Sequence, residues 1–419
     1  MTRIRRRSLL TGSVGALAAG AAFSGCSSDT SGKPSLELFQ FKSEAIRLFD
    51  TICSQYNAAQ DKVTVAQNFQ ADNITSLRVR LVKNNFPDLI TINGDYNYGS
   101  LAKTGVFYDF GKTNLMQKVQ PAIAEILPSL GTGGDGQVNG IPFANNGSGV
   151  IYNKDVFAKA GIEPPTTWDE LVALCDELAA QDVKPFTWGF KDSWTGAPMF
   201  SSISGDTFTE GVAAWYQDRA DGKTSFSKDY VPILQKMKKL ASYGNTNKFA
   251  LGYNDANQAF AKGESAMYVH GTYAIPAIRS YNEDINLGTF AMPADDAKDT
   301  RVVSGVDVAL TMGSQPRAEA EQLAFFDYLM KEENLKSYCT EQVAFPTLTG
   351  MEATDPALEG LVPYFKKNLL ATYSDHNFPQ AVTLNAYMQQ FLIDGNVQKF
   401  AETLDTQWDK VFARLNRTQ

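Results

Sequence analysis

Side chains that could bind a polar ligand are concentrated in two short loops, Lys42-Ser43-Glu44 and Asn93-Gly94-Asp95. Together the loops carry an ammonium group, an amide, a hydroxyl and two carboxylates, which can donate and accept hydrogen bonds. Each loop follows a predicted strand, at 36–41 and at 88–92. Ligands of open α/β sheets gather beyond the carboxyl ends of the strands. The two loops therefore indicate a cleft.

Both loops also have an interpretation that involves no ligand. Lys42 and Glu44 could be a solvated pair at the start of a helix. Asn93-Gly94-Asp95 could be a turn that only ends its strand. The sequence leaves these alternatives open.

Two further loops combine polar and aromatic side chains. Trp194 lies in the polar, turn-forming segment 191–198, where a ligand contact and core packing are both open. Asp375 and His376 precede a predicted helix and could either cap it or bind a ligand.

The sequence contains no convincing motif for nucleotide binding, metal binding or nucleophilic catalysis. Residues 131–136 match the glycine spacing of a dinucleotide site, but 137–142 cannot open the helix that such a site needs. Two histidines are too few for a histidine-rich metal site. Neither a nucleophile elbow nor a P-loop occurs. We predict no cofactor and no metal, whereas a carboxylate pair for glycoside hydrolysis is not excluded by composition.

The elements that position the first two loops alternate in type. Strands are predicted at 36–41, 63–65 and 88–92, with helices at 45–56 and 74–83 between them. This alternation implies an α/β fold with a parallel sheet and right-handed crossovers.

Helix signals follow an extended stretch at 141–152. Asn153 is placed to cap a helix that Gly161 ends. Thr167 and Glu170 have the spacing of a capping box for the next helix. Later elements are strands at 266–269, 287–291 and 302–311, the last returning to the first group of elements, and mostly helix from 318.

The N-terminus has the composition of a bacterial export signal. Arg5-Arg6-Arg7 precedes an uncharged stretch rich in glycine and alanine, with small residues before Cys26. The segment 6–10 resembles a twin-arginine signal, and the residues around Cys26 resemble a lipobox, although Phe23 stands where leucine is usual. An uncleaved anchor helix is the alternative. We predict a signal peptide over 1–25 and a lipid on Cys26, which would hold the protein on the extracellular face of the cytoplasmic membrane.

Charge and length limit the remaining classes of function. Residues 1–25 contain four arginines and no acids, so the rest of the chain has 34 basic and 46 acidic side chains and a net charge of −12. This balance argues against a nucleic-acid partner and against an anionic membrane surface. The chain is longer than the domains that usually fold around a single hydrophobic core, which predicts two lobes. With Cys26 lipidated, an odd number of cysteines remains; of these, Cys53 and Cys175 lie on apolar helical stripes and are expected to be buried.

A series of segments, in a fixed order, resembles family 1 extracellular solute-binding proteins. The most specific is 152–171, which contains Tyr152-Asn153-Lys154 and Thr167-Trp168-Asp169-Glu170. The other segments are 86–95, 140–151, 260–268, 271–274, 303–308 and 345–347. These proteins are the lipoprotein receptors of carbohydrate-uptake ABC transporters and are distantly similar to maltose-binding protein.

The resemblance implies a fold of two α/β lobes with a hinge and a ligand cleft between them. The crossing strands are expected near Asn146, Met292 and Phe345. The implied division is a linker over 26–34, a first lobe over 35–145 and 294–345, and a second lobe over 146–293 and 346–419.

The resemblance also implies ligand contacts. Asn145 and Asn146 lie where family members have a polar ligand contact. Tyr273 stands where many relatives have tryptophan, and its ring could stack on a sugar face. Gly305 and Asp307 match a motif whose glycine lets backbone approach the ligand; Asp307 could instead bond neighbouring backbone.

These observations together predict a receptor that is not an enzyme and that delivers an oligosaccharide of two to a few units to permease subunits. It is expected to be a monomer, attached to the membrane through its lipid only. The alternative is an extracellular lipid-anchored glycosidase or lyase. The predicted ligand-binding residues are Lys42, Glu44, Asn93, Asp95, Asn145, Asn146, Trp194, Tyr273, Gly305, Asp307, Asp375 and His376.

Overall fold

The structure is a computed structural model that describes residues 33–208 and 211–415. Within these ranges, nine strands form one mixed sheet. The strands are β1 (Ser35–Gln40), β2 (Thr64–Phe69), β3 (Leu89–Ile92), β4 (Ile141–Asn153), β5 (Met267–Gly271), β6 (Leu287–Phe290), β7 (Val302–Thr311), β8 (Phe345–Pro346) and β9 (Leu370–Ala371). Their order is β2-β1-β3-β7-β4-β5, with β6 and β8 paired to β4 and β9 paired to β7.

Helices cover the sheet and form most of the chain after β4. They are α1 (Ile46–Ala59), α2 (Asn73–Val82), α3 (Tyr96–Ala102), α4 (Pro121–Ala124), α5 (Ile126–Leu130), α6 (Lys154–Ala160), α7 (Trp168–Ala180), α8 (Ala197–Thr207), α9 (Val212–Ala220), α10 (Phe226–Asp229), α11 (Val231–Ala241), α12 (Tyr253–Ala261), α13 (Ala274–Arg279), α14 (Glu319–Leu329), α15 (Glu332–Gln342), α16 (Val362–Lys366), α17 (Leu384–Asp394) and α18 (Val397–Leu415). Short 3-10 helices lie at Ser43–Ala45, Phe110–Lys112, Ser193–Gly196, Ala297–Asp299, Pro356–Leu358, Asp375–Asn377 and Gln380–Val382.

The first three strands confirm the predicted parallel arrangement. β1 pairs in parallel with β2 on one side and with β3 on the other. Their apolar side chains are buried because helices cover the sheet, and Leu38 and Ile90 have no exposed surface. The carboxyl ends of β1 and β3 therefore lie at one edge, and each is followed by one of the two polar loops.

Two long strands, β4 and β7, connect the two halves of the sheet. They pair antiparallel from Ile141 and Leu310 to Ser148 and Val303. One end of β7 pairs with β3, and the other pairs with β9. The predicted return of the chain to the first lobe is thereby confirmed. Met292 precedes the crossing strand β7, and the exact lobe boundaries remain a prediction.

Separate apolar cores define the two lobes. One core contains the first strands and α14–α15, with Phe49, Phe143 and Tyr338 packed together at ring distances of 4.8 to 6.5 Å. The other contains α7–α11, and the C-terminal Phe378 and Trp408 pack into it. The C-terminal segment therefore contributes to the second lobe, and the predicted two-lobed α/β fold is confirmed.

The local helix signals are confirmed in detail. The Asn153 side chain accepts hydrogen bonds from the first backbone amides of α6, and Gly161 ends that helix in the left-handed region with a φ of 69°. Thr167 and Glu170 form the capping box of α7.

Other predictions concern features outside the site. Residues 131–136 form a loop that no helix follows, so they lack the geometry of a dinucleotide site. Cys53, Cys175 and Cys339 are buried free thiols. Within 33–208 and 211–415, no helix has both the length and the apolar character that crossing a membrane requires. The predicted signal, Cys26 and most of the linker lie outside the described residues.

Candidate ligand-binding cleft

A cavity of about 280 Å³ lies between the two lobes. Its lining contains nine of the twelve predicted ligand-binding residues: Lys42, Glu44, Asn93, Asn146, Trp194, Tyr273, Asp307, Asp375 and His376. Phe41, Ser43, Ala197, Pro198, Tyr373 and Asn385 complete it. Residues far apart in the sequence thus meet in one place, and their role in ligand binding remains a prediction.

Strand geometry explains why the first-lobe and central residues converge. Lys42 and Asn93 follow the carboxyl ends of the parallel neighbours β1 and β3. Asn146 on β4 pairs with Gly305 on β7, and Asp307 lies two residues further along β7, on the same face as Gly305. The crossing strands therefore form the floor of the cavity.

A buried ion cluster occupies the first-lobe side of the cavity. The Lys42 ammonium contacts the Asp307 carboxylate and lies 3.3 Å from Glu44 Oε1. Lys42 is only 5% exposed, so the predicted alternative of a solvated pair is wrong for it. Burial alone would lower the pKa of Lys42, but the charges of Asp307 and Glu44 and their hydrogen bonds raise it instead. Asp307 is thus held by Lys42 and not by neighbouring backbone.

A hydrogen-bonded chain extends from Asp307 across the floor. Asn146 Nδ2 donates to Asp307 Oδ1 at 3.4 Å, and the Tyr373 hydroxyl donates to Asn146 Oδ1 at 2.8 Å. The Tyr373 hydroxyl also lies 2.7 Å from Ser148 Oγ. Burial raises the pKa of Tyr373, so its hydroxyl stays protonated. The chain orients these groups before a ligand arrives, which lowers the entropic cost of binding.

Aromatic side chains form the second-lobe wall. Trp194, on the 3-10 helix Ser193–Gly196, lies 4.9 Å from the Tyr253 ring and 6.5 Å from the Tyr273 ring. Trp194 is 37% exposed, in contrast to the buried tryptophans of the second core. Its exposure at the cavity favours the ligand contact over core packing. The Tyr273 hydroxyl lies 3.1 Å from His270 Nδ1, which fixes the ring.

His270 beneath this wall predicts a dependence of stability on pH. Burial lowers its pKa to about 3, so the folded protein holds the ring neutral. The unfolded chain, with a histidine pKa of about 6.5, binds more protons below that pH, so the stabilising contribution is lost as pH falls from about 6.5 toward 3. When the pH is lowered from 6 to 5, protonation of His270 in the unfolded chain should reduce the free energy of unfolding by about 1 kcal/mol. Urea denaturation at both pH values should show a smaller drop in His270→Gln, and an equal drop in both proteins would contradict the assignment.

Asp375 and His376 complete the wall at the start of the C-terminal segment. Ser201 Oγ donates to Asp375 Oδ1 at 2.5 Å, and the His376 ring stacks on Tyr373 at 4.6 Å with an interplanar angle of 28°. The alternative of a helix cap is wrong, because both residues lie inside the 3-10 helix Asp375–Asn377, whose N-cap is Ser374, and the next two helices have Pro379 and Thr383 at their N-caps. Both side chains are therefore positioned by tertiary contacts at the cavity.

Three predicted residues do not line this cavity. Asp95 caps α3, with its Oδ1 accepting from the amides of Asn97 and Tyr98 at 2.8 and 3.2 Å. Asn145 is fully buried, and its side chain has no hydrogen-bond partner among the described residues. The space beside Gly305 is taken by the ring of Tyr373, whose atoms would lie 3.0 Å from an added Cβ. In this structure Gly305 makes room for Tyr373 and not for a ligand.

Tyr373 is the most important lining residue that the sequence analysis did not select. It joins the floor to the wall through Asn146, Ser148 and His376. A weak signal was present, because Tyr373 lies two residues before Asp375 in the same polar segment. Ala197, Pro198 and Asn385 carried no comparable signal, since such residues are common in the first turn of a helix.

The sequence of this chain matches a known protein family. Residues 51–360 match the family described as bacterial extracellular solute-binding protein. The chain belongs to this family. Accordingly, the cavity of this solute-binding protein lies where its two lobes meet, and the family consists of extracellular binding proteins.

Individual relatives share less than 30% of their residues with this chain. A multiple sugar-binding protein of Streptococcus mutans is 28% identical over 316 residues, which cover 73% of each chain. The sn-glycerol-3-phosphate-binding periplasmic protein of Escherichia coli K12 is 27% identical over 207 residues, covering 46% of this chain and 45% of its own. Among solved structures, a solute-binding protein in complex with raffinose superposes with a TM-score of 0.78 at 22% identity, covering 90% of this chain and 99% of its own. This solute-binding protein thus shares its fold with a raffinose-bound structure.

Proposed function

We propose that this solute-binding protein is an oligosaccharide receptor of a bacterial carbohydrate-uptake ABC transporter. The observation that carries the proposal is the interlobe cavity, whose lining combines the aromatic Trp194 and Tyr273 with the polar groups of Asn146, Asp307 and Asp375. A sugar ring offers C–H faces that aromatic rings cover and hydroxyls that carboxylates and amides bind. The sugar-binding and raffinose-bound relatives support this assignment.

The charge of the cavity favours a neutral ligand over a phosphate ester. Lys42 is the only lysine or arginine among the described lining residues, and Asp307 and Glu44 already neutralise it. Asp375 adds a further carboxylate. A phosphate group needs donors and positive charge, so a glycerol-phosphate ligand like that of the Escherichia coli relative is disfavoured.

Calorimetry tests the proposal directly. The protein is titrated with sucrose, raffinose, stachyose, maltose, cellobiose and sn-glycerol-3-phosphate. We expect saturable binding of at least one saccharide and none of the phosphate ester. Recovery of the saccharide unchanged after prolonged incubation, measured by chromatography, is expected of a receptor; hydrolysis or elimination products would support a glycosidase or lyase instead.

A membrane tether would keep the receptor close to its permease subunits. A lipid on Cys26, followed by the linker up to residue 34, would attach the protein to the membrane. We propose that the chain passes between the two lobes at 145/146, 293/294 and 345/346. We also propose that the protein acts as a monomer. A protein with a single acyl chain binds membranes weakly, whereas the diacylglyceryl-type anchor of a lipoprotein supplies two or more chains.

The lipid anchor yields a prediction on localisation. In Cys26→Ala, fractionation should show the protein released from the membrane, because the thiol that accepts the lipid is missing. Cys53→Ala provides a matched control, since that buried thiol cannot accept a lipid in the folded protein, and it should stay in the membrane fraction. Membrane retention of Cys26→Ala would point to an uncleaved anchor helix instead.

A further inference from the structure

A buried histidine lies behind the aromatic wall of the cavity. His270, on β5, is 1% exposed and is not among the residues that line the cavity. Its ring nevertheless lies 5.3 Å from the Trp194 ring and 5.4 Å from the Tyr273 ring, and both of these residues line the cavity. Any effect of His270 on a bound ligand must therefore pass through its neighbours.

The surrounding rings fix the orientation of the His270 ring. The rings of Tyr268 and Tyr253 lie 4.8 and 5.2 Å away, at interplanar angles of 61° and 56°. The Trp194 ring meets it edge-on, at 73°. A side chain packed this closely cannot turn without displacing its neighbours. The Nδ1 atom of His270 therefore has a fixed direction.

The Tyr273 ring is held at two points. Its hydroxyl lies 3.1 Å from His270 Nδ1. The ring itself lies against Gly271, where an added Cβ would overlap the Tyr273 ring atoms. Only a glycine leaves room for a ring in this place. His270 and Gly271 together therefore determine where the Tyr273 hydroxyl stands.

The position of the histidine hydrogen follows from the unpaired nitrogen. The His270 ring is neutral in the folded protein because burial lowers its pKa, so one nitrogen carries a hydrogen and the other a lone pair. Nε2 is buried and has no hydrogen-bond partner among the described residues. A hydrogen on Nε2 would be a buried donor without an acceptor, which is rare in proteins. The hydrogen therefore belongs on Nδ1, which donates to the Tyr273 oxygen.

This assignment leaves the hydroxyl hydrogen of Tyr273 available to a ligand. Three carboxylates line the same cavity, those of Glu44, Asp307 and Asp375. When ionised, they can only accept hydrogen bonds. Lys42 and Asn146 already donate to Asp307. The Tyr273 hydroxyl therefore offers a sugar oxygen a donor that none of the carboxylates can provide.

We propose that His270 is a positioning residue of the saccharide site, which donates from Nδ1 to the Tyr273 oxygen and so directs the hydroxyl hydrogen of Tyr273 to an acceptor oxygen of the ligand. The inference rests on the proposed function and adds a specificity-determining residue that touches no ligand atom. It follows that replacing His270 should change affinity only while residue 273 carries a hydroxyl.

A double-mutant cycle tests this dependence. His270→Phe keeps a ring of similar size and removes Nδ1, and Tyr273→Phe removes the hydroxyl. Calorimetry uses whichever of sucrose, raffinose, stachyose, maltose and cellobiose the unmodified protein binds most tightly. We expect His270→Phe to raise the Kd about fivefold when Tyr273 is present, and by less than about twofold in the Tyr273→Phe background. The same factor in both backgrounds would overturn the proposal.

Two further variants guard against a general disturbance of the core. Thermal unfolding first identifies the variants that fold. His270→Gln also lacks a donor at the place of Nδ1 and supplies the cycle if His270→Phe does not fold. Tyr268→Phe is the matched control, because it removes a buried hydroxyl that has no hydrogen-bond partner among the described residues. Its Kd should stay within about twofold, and a loss equal to that of His270→Phe would overturn the proposal.

Nuclear magnetic resonance tests the position of the hydrogen without any ligand. The chain contains two histidines, His270 and His376. Long-range proton–nitrogen correlations of protein labelled with nitrogen-15 histidine show which ring nitrogen carries the hydrogen, and His376→Gln identifies the signals of His270. We expect the hydrogen on Nδ1 at neutral pH. A hydrogen on Nε2 would overturn the proposal.

The outcomes separate this inference from the proposed function. Equal factors in the two backgrounds, or a hydrogen on Nε2, would remove His270 from the site and leave the receptor function intact. Absence of binding to every saccharide by the unmodified protein would instead overturn the proposed function, and the role of His270 in binding with it.

Discussion

Asp307→Asn is expected to lower the free energy of unfolding by about 3 kcal/mol, because it leaves the buried Lys42 ammonium without its main counter-charge. Lys42 is 5% exposed, and the Glu44 carboxylate that would remain is 37% exposed, so solvent weakens its compensation. Saccharide binding should be lost as well, since Asp307 also orients Asn146 at the cavity floor. Urea denaturation measures the first effect and calorimetry the second.

Two controls make this result interpretable. Asp296→Asn removes a carboxylate from the exposed pair that Asp296 makes with Lys298 at 2.7 Å, and should leave stability almost unchanged because water screens that pair. The double variant Lys42→Met/Asp307→Asn removes both buried charges and should recover most of the lost stability but not the binding. A loss in Asp307→Asn no larger than that in Asp296→Asn would contradict a buried ion pair.

Trp194→Ala is expected to weaken saccharide binding by about 1 to 3 kcal/mol, which is roughly a 5- to 150-fold increase in Kd. The indole lies at the aromatic wall beside Tyr253 and Tyr273, where it can cover a sugar face. Stability should change little, because the side chain is more than one-third exposed and so contributes less to the core. Calorimetry and urea denaturation of the same preparation separate the two effects.

An exposed aromatic residue away from the cavity provides the comparison. Tyr281 is 47% exposed and does not line the cavity between the lobes. Tyr281→Ala should therefore leave the saccharide Kd unchanged. If Trp194→Ala also left it unchanged, Trp194 would have to be removed from the proposed site.

Local structure was predictable wherever neighbouring residues determine it. The cap at Asn153, the helix end at Gly161 and the capping box of Thr167 and Glu170 depend on hydrogen bonds within one helical turn. The bounds 302–311 of β7 were also predicted as observed, because most residues of the segment are valine, alanine or leucine, as is typical of a buried strand. The parallel sheet followed from the order of these elements.

The candidate site was only partly predictable. Lys42 and Asn93 were found because parallel topology places loops after neighbouring strands at one edge. Asp375 and His376 were candidates with two interpretations, and only the contacts with Ser201 and Tyr373 favour the cavity over a helix cap. Tyr373 was missed, because its role depends on partners more than 200 positions away in the sequence, Asn146 and Ser148.

The sequence by itself determined the family resemblance, the α/β class, the local helix signals and the residue types available for a ligand, since these depend on pattern and on contacts between near neighbours. Only the tertiary structure decided that Lys42 pairs with Asp307 and that Tyr373 occupies the space beside Gly305. Those outcomes depend on the register of β7 against β4 and on how the lobes pack. Such long-range geometry decides which polar groups are buried and paired, and therefore which can meet a ligand.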